Sequence, residues 1–166
     1  GRDGAPATVH LLFGPEDVRP GEAVLSSAAP ARDELVTLYR TLVGLFRSGG
    51  PISLDDEAIA AASRERDPLT ALDAREVSCG LSIFSELGFC AVTGWGEGRR
   101  VRMASAPARM ELTQSACYLE GLRLQRAFAE FCRWALDAPP DVLLARVNRP
   151  ITPNFGIIVS EGSEGL

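Results

Sequence analysis

The chain has 166 residues, 46% of them hydrophobic and 23% charged, with a formal net charge of −5. That length suits one domain with a buried core, and the acidic balance excludes a general nucleic-acid coat, because phosphate binding rests on accumulated positive charge. No apolar run reaches the roughly 18 residues a membrane helix needs, and the start lacks a secretory signal, so a cytoplasmic protein without membrane contact is expected.

Residues 1–8 are small and polar. The apolar run at residues 9–13, closed by Gly14 and Pro15, reads as a short buried strand that needs partners. His10 inside it is the only histidine, a strand residue rather than a ligand. Residues 16–31 hold Pro20, Gly21 and Pro30 and read as a connector with one helical turn near residues 22–26. The chain opens on Gly1 without an initiator methionine, which suggests a fragment of something longer or a trimmed chain.

From Ala31 the apolar period becomes helical: Leu35, Leu38, Tyr39, Leu42, Leu45 and Phe46 share one face. Gly49, Gly50 and Pro51 end this helix, and Ile52 is a candidate brief strand. Ser53 is the expected cap of a second helix, with Asp55, Asp56 and Glu57 in its first turn and Leu54, Ala58, Ile59 and Ala62 facing inward. Asp73 and Glu76 form a capping box for a third helix, whose core stripe is Val77, Leu81, Phe84 and Leu87. Gly88 stops it, and residues 89–93 and 99–104 read as strands around a glycine-rich turn bearing Trp95. A proline-containing hinge at residues 105–108 leads to a last long helix over residues 115–136, ended by Pro139 and Pro140. Residues 142–147 are a possible short element, and residues 157–159 a final strand or a loose terminus.

These elements define a helix-rich α+β class. The core expected is a winged helix-turn-helix, with a C-terminal long helix and a separate N-terminal strand; an unrelated small α+β unit is the alternative. The divisions are 1–30 (strand and connector, with the end of a preceding α/β subdomain as the alternative), 31–105 (winged helix), 106–137 (hinge and long helix) and 138–166 (tail). The four cysteines, 79, 90, 117 and 132, contain no C-x-x-C pair and read as small buried thiols.

Residues 34–40 (ELVTLYR), residues 84–89 (FSELGF), the hinge Ala106-Pro107-Ala108 and residues 112–118 (LTQSACY) carry a family likeness. Across residues 9 to 136 the chain resembles the C-terminal accessory region of RecJ-type single-stranded-DNA-specific exonucleases of Gram-positive and related bacteria. In that family manganese or magnesium is held by aspartates and histidines of DHH-type motifs, which this chain lacks. Two-metal hydrolysis needs several convergent ligands. The resemblance therefore implies no catalytic residue, no metal ligand and no cofactor here, with the metal ions confined to the catalytic core of a parent exonuclease acting in DNA repair and recombination. It implies as partners that core, single-stranded DNA, and the acidic, aromatic-ending tail of a single-stranded-DNA-binding protein.

Between residues 94 and 110 four arginines meet one glutamate. On the second strand Arg100 and Arg102 point to one face and Val101 and Met103 to the other, with Arg99 at the turn. Arg99, Arg100, Arg102 and Trp95 are thus the candidate contacts for nucleic acid or an acidic partner; a charged hairpin edge that resists aggregation, with Trp95 folded back, is the plainer reading. The third helix exposes Arg75, Ser78, Ser82, Ser85 and Glu86, a poor set for reading base edges. Two other roles stay open: a stand-alone winged-helix transcriptional regulator, and a module that the long helix merely staples to its parent.

Overall fold

A computed structural model describes residues 10, 12–105 and 111–147. Helix α1 (Pro15–Ser26) replaces the expected connector. Pro15 sits at the first helical position, where its missing N–H costs nothing, and the Asp17 carboxylate accepts from the Gly14 N–H at 2.8 Å. Pro20 removes one intrahelical bond. The helix persists because it packs on α5 (Ala116–Asp137), where Gly21 lies directly against the Phe128 ring.

His10, Leu12 and Phe13 form no strand, contrary to the reading of residues 9–13. Leu12 is 90% exposed, and Phe13 meets the aromatic face of α5 instead, its ring 5.0 Å edge-on from Phe131. Val9, Leu11, the hinge at residues 106–108 and the segment at residues 157–159 lie outside the described residues.

Helix α2 (Arg32–Gly49) buries Leu35, Leu38 and Leu42 completely and stops at Gly50, whose φ of 76° is open to glycine without strain. Ile52 then pairs with Val101, exchanging two backbone bonds of 2.9 Å. Helix α3 (Asp56–Arg66) is capped by Asp55 and not by Ser53: its carboxylate accepts from the Ala58 N–H at 2.8 Å. The start lies two residues later than expected, and the buried face is Ile59, Ala60 and Ser63; Leu54 is exposed. Ser63 tolerates burial because its hydroxyl donates to the Ile59 carbonyl.

Helix α4 (Ala74–Glu86) has the capping box in full. Asp73 accepts from the Arg75 and Glu76 amides at 2.8 and 2.9 Å, and Glu76 accepts from the Asp73 amide at 3.0 Å. Val77, Leu81 and Phe84 are buried, and Gly88 turns the chain at φ 75°. Strands β1 (Cys90–Thr93) and β2 (Arg100–Met103) pair antiparallel, with Cys90 opposite Met103 and Thr93 opposite Arg100. Tyr39 joins the helices to this ribbon, its ring 5.8 Å from Phe84 and 5.6 Å from Phe89, both edge-on.

Helix α5 begins one residue after its cap, Ser115. The short element expected at residues 142–147 is α6 (Pro140–Val147), whose Arg146 guanidinium lies 4.8 Å over the Trp134 ring of α5. The described residues are thus helix-rich, with six α-helices and one two-stranded antiparallel sheet. None of those helices is long and apolar enough to cross a membrane.

Candidate nucleic-acid or acidic-partner interface

The hairpin positions its four candidate residues in three different ways. Arg100 and Arg102 are exposed on one face of β2, while Val101 between them is fully buried and Met103 half-buried. The burial of Val101, pinned by Ile52, is what turns both guanidiniums outward. Arg100 also donates to the Arg99 carbonyl at 2.8 Å.

Arg99 has a different task. Its guanidinium donates to the Asp56 carboxylate at 2.5 Å and to the Leu54 carbonyl at 2.8 Å, and only 18% of its side chain is exposed. It therefore ties the ribbon's turn to the N-terminal end of α3, and its charge is largely spent on Asp56. Trp95 stands at the tip, 89% exposed, and does not fold back on the ribbon. A single turn of tight helix at Gly96–Gly98 closes the tip, and Gly94 is required there: at φ 71° a Cβ would come 3.0 Å from the Gly98 carbonyl carbon.

The outer face of α4 is exposed at Arg75, Ser78, Ser82, Ser85 and Glu86. Helix α5 nonetheless lies alongside it, leaving a groove of about 480 Å³ between Arg75, Ser78 and Ser82 on one wall and Glu120, Gly121 and Leu124 on the other. Glu86 fastens that arrangement: Oε2 accepts from Ser115 Oγ at 2.6 Å and from the Cys117 amide at 3.1 Å. The Ser115 hydroxyl, then the Cys117 amide, hold the Glu86 carboxyl below the usual carboxylate range. Deeper in the groove the Cys79 and Cys117 sulfurs are 4.0 Å apart, and Cys79 donates to the Ala28 carbonyl. Burial, followed by the Cys117 neighbour, pushes the Cys79 thiol up to about 12, so it stays protonated and a poor nucleophile at neutral pH.

Arg40 and Arg47 of α2 border one cleft of about 290 Å³ together with Arg66 of α3. Their convergence depends on how α2 packs against α3, a relation no local pattern encodes. Among the described residues no group of three His, Cys, Asp or Glu side chains is gathered as metal ligands would be. Comparison with protein-family models, with curated proteins and with solved structures gave no match.

Proposed function

We propose that this chain is a non-catalytic winged-helix docking module of a 5′–3′ single-strand-specific exonuclease, holding an anionic partner near the parent's catalytic core. The partner is single-stranded DNA or the acidic tail of a single-stranded-DNA-binding protein. Manganese or magnesium, in this reading, belongs to the parent core and not to this chain.

The order α2, Ile52 bridge, α3, α4, β1, β2 supports the winged-helix assignment, because it supplies three helices followed by a ribbon whose edge receives a third short segment. The family likeness of residues 34–40, 84–89 and 112–118 supports the parentage. The observation that carries the binding role is the hairpin itself: Arg100 and Arg102 on one exposed face, with Trp95 at the tip, on a ribbon anchored by Arg99 and Ile52. Guanidiniums meet phosphate or carboxylate oxygens, and an exposed indole stacks on a base or an aromatic side chain.

The test is a titration of labelled single-stranded DNA, and separately of an acidic tail peptide, with the native chain and with an Arg100→Glu/Arg102→Glu variant. Salt-sensitive binding of either ligand, lost in the variant, is expected; no binding of both ligands at high concentration defeats the proposal. Against a duplex-reading regulator stands α5, which runs beside the exposed face of α4 and walls it with Glu120, Gly121 and Leu124, so that the helix has no open face for a groove.

A further inference from the structure

Arg40, Gly44 and Arg47 follow one another along α2 at spacings of four and three, which is a single stripe of the helix. Arg66, in the last turn of α3, reaches over that stripe: a Cβ placed on Gly44 would stand 3.3 Å from Arg66 Nη1. The bare glycine thus lets three guanidiniums border one cleft, with Tyr39 and Val43 completing its walls.

Among the described residues no carboxylate lines this cleft, and none of the three arginines has an ion pair with one of them. Glu34, in the first turn of α2, and Asp67, at the end of α3, are committed elsewhere. Glu34 accepts from the Thr70 hydroxyl and from the Ala71 amide at 3.0 Å, and Asp67 accepts from Thr37 Oγ1 at 3.3 Å and the Leu69 amide at 3.2 Å. Arg47 and Arg66 lie in last turns, where helix dipoles offset part of their mutual repulsion. Arg40 is mid-helix and has no such compensation. On a chain with 17 basic and 22 acidic residues, this is a local reversal of the field, left open to an anion from solution.

We propose that the cleft binds a phosphomonoester of about mononucleotide size. A phosphate dianion offers three oxygens to guanidinium forks, whereas a monocarboxylate offers two oxygens and half the charge. The cleft, about 290 Å³, exceeds a bare phosphate by a wide margin, given that a water occupies about 30 Å³ of liquid, so an organic body fits against Tyr39 and Val43. The site is separate from the hairpin, and its occupancy does not rest on the hairpin's role.

The experiment follows the arginine Nε–Hε resonances of the isotope-labelled chain during titration with deoxyadenosine monophosphate. Saturable shifts confined to Arg40, Arg47 and Arg66 are expected. Arg66→Ala and Arg40→Ala, both changes at exposed residues, each weaken binding about tenfold, as the loss of one charge-assisted contact does. Arg126→Ala, an exposed arginine of α5 that lines neither this cleft nor the hairpin, leaves binding unchanged; a circular dichroism spectrum shows that each variant is folded. The proposal is overturned by unsaturable shifts, by equal shifts with unphosphorylated deoxyadenosine or with sulfate at matched ionic strength, by Arg40→Ala and Arg66→Ala binding like the native chain, or by equally tight binding of an oligonucleotide that has only phosphodiesters.

Discussion

Helix α5 and the β-hairpin both lean on α4, but they are attached by different chemistry. The helix is fastened at its first turn by Glu86 and Ser115 and further along by Gln125, whose amide donates to the Leu25 carbonyl at 3.0 Å. Gly121 lies directly on the Ala28 backbone. The hairpin is anchored at two buried residues, Cys90 and Val101, and one half-buried ion pair, Arg99 with Asp56, and turns the side chains of Arg100 and Arg102 outward. Polar groups that join one element to another are thus turned inward and satisfied, while Arg100, Arg102 and Trp95 are turned outward. The second kind is where a ligand is met.

The strongest way to probe this contrast is to remove what the two regions share. Phe84 is fully buried and touches Tyr39 and Phe89. Phe84→Ala should cost about 4 kcal/mol in urea unfolding and loosen the helix and the hairpin together. If amide exchange accelerates in only one of them, the two do not share a core. Next is Gly121→Val, which drives a side chain into the Ala28 carbonyl and should cost about 3 kcal/mol, with faster exchange concentrated in α1 and α5. Hairpin protection should stay near its native value.

Removing the α5 cap is a smaller disturbance. Ser115 is fully buried, accepts from the Tyr118 amide at 3.1 Å and donates to Glu86, so Ser115→Ala should cost about 1 kcal/mol. The same contact predicts an acid response. Glu86 is held below the ordinary value of 4.5, so its contribution is fully present above that pH and is lost as pH falls through the lower, folded value. Amide protection in the first turn of α5 should therefore decline below about 4.5, and Glu86→Gln should remove that dependence. An acid profile that the substitution does not alter would assign the attachment to other groups.

How far such attachments can be read from sequence depends on their range. The Asp73–Glu76 box, the stop at Gly88 and the strand at Ile52 are legible because each rests on a few consecutive residues. The cap of α3 is ambiguous in Ser53-Leu54-Asp55-Asp56, where several side chains can accept, and the geometry of Asp55 decides it. Helix α1 is hidden because Pro20 and Gly21 look like breakers when Phe128, the ring that gives Gly21 its packing role, lies more than a hundred residues away. Alternation along β2 correctly separates Arg100 and Arg102 from Val101. It does not reveal that Arg99 is engaged by Asp56, or that Arg66 joins Arg40 and Arg47, since both depend on helices brought together by folding.

The last test concerns the hairpin alone and has the smallest expected effect on the fold. Arg100 and Arg102 are exposed, so reversing both to glutamate should change stability by less than about 0.5 kcal/mol. Arg99→Ala should cost about 1 kcal/mol, because it frees the turn from α3 and leaves Asp56 without its cation. Comparing the two separates anchoring from binding. If the proposed division holds, the double reversal abolishes capture of the anionic ligand at native stability, whereas Arg99→Ala weakens capture only as far as it loosens the ribbon. If Arg99→Ala instead abolishes capture while urea midpoints and hairpin exchange stay native, Arg99 leaves Asp56 to meet the ligand, and the ion pair is a resting position of the site.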